Sequence, residues 1–202
     1  MILTVIFDLG NVLVPFEIDR GYNALSANSG LPVHEVAARI RDSGLHTAFE
    51  SGDFETAELH SRLSRLLGLN CEAPEFREIW NSIFLPQCLT SEELVVDLKQ
   101  RFRLVLLSNT NALHFGWLSE RYPILRHFDA YTLSYEVKAM KPSPLIYAAA
   151  VHNAQCEPSE CFFTDDVMAY VEGARAFGMD AEQFQGEAIL RQHLKQRGLL
   201  PS

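Results

Sequence analysis

Three stretches of this chain are apolar almost without interruption: ILTVIF at 2–7, RLVLLS at 103–108 and CFFT at 161–164. Continuous β-rich runs of this length predict strands covered on both faces, as in a parallel sheet. AYTLS at 130–134 is a shorter, weaker strand candidate, and MDAEQF at 179–184 fits a final edge strand. Helical periodicity fills the intervals. TSEELVVDLKQRF reads as a helix opened by a capping box, with Thr90 as N-cap and Glu93 three residues on. SPLIYAAAVHNA opens on Ser143 with Pro144 at the first helical position, and VMAYVEGARAFG ends on Gly178 as a left-handed cap. Strands alternating with helices predict an α/β fold, a parallel sheet flanked by helices.

Residues 15–85 break the rhythm. VHEVAARIRDSG, ETAELHSRLSRLLG and PEFREIWNSIF are all helical in pattern, Leu59, Leu63, Leu66 and Leu67 form one apolar stripe, and no strand-like run occurs there. The expected organisation is a core made of 1–14 and 86–202, with 15–85 inserted after the first strand as a small helical bundle.

At 202 residues and 48% hydrophobic composition, the chain has ample apolar surface for a sizeable core. A formal net charge of −9 argues against nucleic acid or an anionic membrane as partner. The four cysteines lack metal-site spacing and read as buried free thiols. The N-terminal apolar run has no basic residues before it and is interrupted by Asp8, so neither a signal peptide nor a membrane span is expected, and the reading is cytoplasmic.

In open parallel sheets ligands bind beyond the carboxyl ends of the strands. Polar residues gather at those ends here: Asp8 after the first run, Ser108-Asn109-Thr110-Asn111 after the second, Asp165-Asp166 after the third. EVKAMKPS adds Lys138 and Lys141. Each alone reads equally well as a cap, a turn or an exposed loop. Together they place three carboxylates, a hydroxyl and an ammonium around one crevice. Crowded carboxylates call for a cation, all-oxygen ligation points to magnesium, and such a site suits a phosphoryl group attacked by an aspartate.

FDLGNVL, LLSNT, MKPSP and FFTDD with VEGA, in that order, resemble the motifs of the haloacid dehalogenase superfamily, and the likeness spans nearly the whole chain. Within it the chain is similar to small bacterial phosphatases carrying DLGNV and LSNTN, a group that includes sugar-phosphate phosphatases. The resemblance implies a Rossmann-like core with a C1-type helical cap. It also implies a magnesium-dependent phosphatase for a small phosphorylated metabolite. Asp8 would be the nucleophile that carries the phosphoryl group. Ser108 and Asn109 would bind phosphoryl oxygens, and Lys141, with Lys138 the weaker candidate, would neutralise charge. Magnesium would be held by Asp8, the Gly10 backbone carbonyl, Asp165, and Asp166 directly or through water.

The chain departs from that family at Gly10, where most of its phosphatases carry an aspartate that protonates the leaving group and then activates water. Such help is worth about 10²–10⁴-fold. Its absence implies a substrate whose leaving group needs little protonation, such as an anomeric or acyl phosphate, or else a substitute acid from the insert, with Glu17, His46 and Glu50 as candidates. Two alternatives remain open: a metal-free 2-haloacid dehalogenase, which needs no such acid, and a degenerate family member with a binding or regulatory role. Val167 and Tyr170 replace residues that are often polar in relatives, and Tyr170 either faces the pocket or packs beneath the insert, the second being the expectation.

Overall fold

The computed structural model describes residues 1–201. The chain order is β1 (Thr4–Phe7), α1 (Ile18–Ser29), α2 (Val33–Ser43), α3 (Leu45–Glu50), α4 (Thr56–Leu67), α5 (Ala73–Asn81), α6 (Glu92–Lys99), β2 (Arg103–Ser108), α7 (Ala112–Arg121), β3 (Ala130–Leu133), α8 (Ser134–Val137), α9 (Pro144–Ala154), β4 (Cys161–Asp165), α10 (Met168–Phe177), β5 (Asp180–Gln183) and α11 (Glu187–Gln196). All five strands are parallel, in the order β3-β2-β1-β4-β5. The three continuous apolar runs are the three central strands, and the two weaker candidates are the edges, where only one neighbour has to be satisfied.

Alternation along the strands sends side chains to opposite faces. Val5, Phe7, Leu104, Leu106 and Phe162 enter one hydrophobic cluster with α6 and α11, whereas Ile6, Val105, Leu107 and Phe163 enter another with α9 and α10. Helices α1–α5 enclose a third cluster built on Leu25, Val36, Ile40, Phe49, Leu59, Leu63, Leu67, Phe76 and Trp80. The apolar stripe of α4 therefore faces its own bundle rather than the sheet.

Two local expectations need correction. Ser91, not Thr90, caps α6: its hydroxyl accepts the Leu94 N–H, and Glu187 receives both the Ser91 N–H and its hydroxyl. Thr90 is fully buried and donates to the Val12 carbonyl at 2.7 Å. Either residue could cap from sequence alone, and the tertiary partners decide. The cysteines are free, yet only Cys161 is fully buried and Cys88 is exposed. Among the described residues no helix is long and apolar enough to cross a membrane.

Candidate active site

The order β3-β2-β1-β4-β5 makes the chain leave β1 toward β2 and later return to β4 on its other side, so a crevice opens beyond the carboxyl ends of these strands. Asp8 directly follows β1, and its N–H donates to the Thr164 carbonyl at 3.0 Å, which fixes it beside β4. Asp165 closes β4 and is fully buried. Lys141 Nζ lies between them, 2.8 Å from Asp8 Oδ1 and 2.5 Å from Asp165 Oδ2, and also donates to the Leu107 carbonyl at 3.2 Å. The second Asp165 oxygen accepts the Val167 N–H at 2.8 Å. Asp166 is half-buried next to them, and one carboxylate oxygen from each of Asp8, Asp165 and Asp166 lies within 4.8 Å of the others.

Of the two candidate lysines the structure brings in Lys141 alone. Lys138 is an exposed left-handed residue whose ammonium reaches the Gly52 carbonyl. Ser108, at the end of β2, lines a pocket together with Leu9 and Gly10, the two residues that follow Asp8. Asn109 also lines it, but its side-chain amide clamps the lysine loop: Oδ1 accepts the Lys141 N–H at 2.7 Å, and Nδ2 donates to the Lys141 carbonyl at 3.2 Å.

One ammonium faces three carboxylates, and the charge balance shows in their proton affinities. Burial, reinforced by Asp165, pushes Asp8 up to about 7 against the opposing pull of Lys141. Burial and Asp165 also raise Asp166. Burial works against the Lys141 charge, but Asp8 and Asp165 outweigh it and hold the ammonium above its ordinary range. The donor set is all oxygen and short of positive charge, a fit for a hard divalent cation such as magnesium.

Two residues that the sequence did not assign to the site belong to it. Tyr170 turns toward the lysine loop, the alternative to packing beneath the insert: its hydroxyl accepts from Asn109 Nδ2 at 3.4 Å, and its ring lies 5.1 Å from Lys141 Nζ, within cation–π range. The first turn of α10 aims it there, a direction set by helix geometry rather than by any local motif. Asn11 adopts a left-handed φ of 54°, which asparagine tolerates better than most residues. Its N–H closes the turn on the Val14 carbonyl, its Oδ1 accepts the Phe16 N–H at 3.3 Å, and its side chain works against the raised proton affinity of Asp166.

Gly10 is not in the left-handed region; its constraint is space. A Cβ built on it would lie 2.8 Å from Phe16 Cε1 and 3.2 Å from Cδ1. The Phe16 ring thus occupies the volume into which an acidic side chain would begin. A pocket of about 100 Å³ opens beside this ring, with Gly10, Ser108, Asn109 and Thr110 on one side and Ile18, Ile83, Phe84, His46, Glu50 and His114 on the other. His46 and Glu50 therefore reach the site, while Glu17 is exposed outside it. His114 stacks on Trp80 and meets Phe84 edge-on, and burial pushes its imidazole down to about 3, so it is neutral.

Fold and site together define a class: a parallel α/β protein with a carboxylate cluster and a buried lysine at the strand ends. A sequence model of the haloacid dehalogenase-like hydrolases matches residues 2–178, and the chain belongs to that family. It is 26% identical over 200 residues to a D-ribitol-5-phosphate phosphatase of Bacteroides thetaiotaomicron, covering 96% of this chain and 97% of the relative. It is also 26% identical to a phosphatase of Mycobacterium tuberculosis over 89% of this chain and 86% of that protein. A crystal structure of a family enzyme from B. thetaiotaomicron, in complex with magnesium and inorganic phosphate, superposes with a TM-score of 0.82 at 25% identity, covering 91% of this chain and 94% of that one.

Proposed function

We propose that this protein is a magnesium-dependent phosphatase that hydrolyses a small phosphorylated metabolite through an aspartyl-phosphate on Asp8, with residues 15–85 serving as a cap over the core formed by 1–14 and 86–202. The observation that carries this reading is the Asp8–Lys141–Asp165 array with Asp166 within ligand distance of it. Asp8, Asp165, Asp166 and the Gly10 carbonyl would hold the metal, which when bound supplies charge neutralisation for the phosphoryl oxygens.

The chain's own groups do the rest. Asp8, rigidly placed at the end of the central strand, attacks phosphorus; its carboxylate oxygen bonds to phosphorus as the ester oxygen departs. Lys141 neutralises charge shared by Asp8 and the phosphoryl group. Ser108 donates a hydrogen bond to a phosphoryl oxygen, and Asn109 holds the lysine loop in place while bordering the phosphoryl site. The likeness to a D-ribitol-5-phosphate phosphatase supports a sugar phosphate as substrate. The apolar wall of Phe16, Ile18, Ile83 and Phe84 favours a leaving group with one apolar face.

The absence of a side chain at position 10 favours a second reading, a 2-haloacid dehalogenase, because expelling halide needs no acid. The intact carboxylate cluster weighs against it. Phosphate release from p-nitrophenyl phosphate and a panel of phosphorylated metabolites, with magnesium and with chelator, tests the first reading against halide release from 2-chloropropionate. Metal-dependent phosphate release that disappears in Asp8→Asn is expected. Halide release, or a stoichiometric phosphoenzyme that never turns over, would replace it with a dehalogenase or a binding protein respectively.

A further inference from the structure

The pocket lined by Gly10, Ser108 and Asn109 contains one carboxylate that the proposed chemistry has not used. Glu50, the last residue of α3, projects from the helical insert into this pocket. Its side chain is 15% exposed, and Oε1 lies 3.6 Å from His46 Nε2, one helical turn earlier.

The end of α3 is also tied to the core. The Ser134 hydroxyl reaches the Glu50 carbonyl oxygen at 2.7 Å, the Ser51 hydroxyl contacts Met140 Sδ at 3.3 Å, and Lys138 reaches the Gly52 carbonyl. These three anchors all lie in residues 134–140, the segment that leads directly into Lys141. The backbone that carries Glu50 is therefore held on the segment that positions the lysine.

We propose that Glu50, oriented by His46, is the general acid and base of this active site and performs the proton transfers that Gly10 cannot. The inference rests on the phosphatase reading. Several observations favour Glu50 over its neighbours. The Phe16 ring blocks the position-10 route. Glu17 is exposed and does not line the pocket, and His114 is held neutral beside aromatic rings with its Nδ1 bonded to Asn81 at 2.8 Å. The titratable groups facing Glu50 are His46 on its own helix and Lys141 from the core. Both favour its ionised form, yet burial outweighs them and raises its proton affinity, as a carboxyl that must donate requires.

The steps balance. As the Asp8 oxygen bonds to phosphorus and the ester P–O bond breaks, the Glu50 carboxylic acid gives its proton to the departing oxygen and an alcohol leaves. The resulting carboxylate then takes a proton from water. The water oxygen bonds to phosphorus, the Asp8–phosphorus bond breaks, and inorganic phosphate and a reprotonated Glu50 result.

Rapid-mixing kinetics of Glu50→Gln with magnesium separates the two steps. p-Nitrophenolate leaves without a proton, so E50Q is expected to release about one equivalent in a burst, followed by a steady rate lowered about 10²–10⁴-fold. Phenyl phosphate, whose leaving group needs the proton, is expected to show no burst in E50Q and a loss of at least that size. Steady rates within threefold of the unaltered protein on both esters would overturn the assignment. So would loss of the nitrophenolate burst in a variant with the normal melting transition; Glu50→Asp serves if the amide variant lacks that transition. If the unaltered protein releases phosphate from neither ester nor from any metabolite in the panel, the phosphatase reading itself falls, and this inference with it.

Discussion

Placing an aspartate at position 10 is the sharpest perturbation of this site, because the structure says what the new side chain would strike. The Cβ of Gly10→Asp would lie 2.8 Å from the Phe16 ring, so the ring has to leave its position, where it stands edge-on to Phe84 at 6.4 Å. Overpacking of this kind costs about 1–3 kcal/mol. At about 2–4 °C per kcal/mol for a domain of this size, the melting temperature should fall by about 2–12 °C. Phe16→Ala alone removes a half-buried ring and should cost about 1–2 kcal/mol, less than full burial of phenylalanine contributes. In G10D/F16A the clash is gone, so the double variant should be more stable than the sum of the singles by about 1 kcal/mol or more. The charge added beside Asp8 and Asp165 is present in G10D and in the double variant alike, so its cost cancels in the cycle to first order. Urea denaturation of the four proteins, in chelator, measures the coupling. Additivity within about 0.5 kcal/mol would refute the claim that the Phe16 ring fills the acid's place.

Other consequences follow from the same geometry. Adding G10D/F16A to E50Q should recover at least tenfold in phosphate release, since the new carboxylate stands where relatives keep their acid; phosphate assays on the triple variant check it. Lys141→Met leaves Asp8 and Asp165 buried without their shared cation. It should cost about 3–5 kcal/mol in urea denaturation and abolish turnover. Folding of the metal-free protein binds a proton at Asp8, whose folded value is about 7 against an ordinary 3.8. That contribution to stability is whole below about pH 4 and is lost as pH rises through about 7, so the urea midpoint should fall across that window and the slope should flatten in Asp8→Asn. Magnesium binding near pH 6.5, by roughly the same linkage, should release protons, measurable by calorimetry in buffers of different ionisation enthalpy.

Much of this architecture was legible from hydrophobic pattern alone. The three uninterrupted runs had to be doubly covered strands, and they are the three at the centre; Asp8, Ser108 and Asp165 then fall at the strand ends without further assumption. Lys141 and Lys138 could not be separated by spacing, because only the turn around Lys138, left-handed at φ 60°, sends one ammonium into the cluster and the other toward Gly52. Which way Tyr170 turns, and the Asn109 clamp, could not be decided for a related reason: both depend on how α10 and the lysine loop meet across the sheet edge. The sequence signalled that Gly10 lacked an acid, but not that an aromatic ring fills the vacated space, since the approach of Phe16 depends on the Asn11 turn.

The central claim is that Asp8 carries the phosphoryl group. Acid-quenching the protein during turnover of p-nitrophenyl phosphate with magnesium, followed by mass spectrometry of its peptides, tests it directly. The account predicts one phosphoryl group on Asp8, labile to hydroxylamine and absent in Asp8→Asn. Phosphate release with no modification on Asp8, or wild-type turnover by the Asp8→Asn variant, would contradict it.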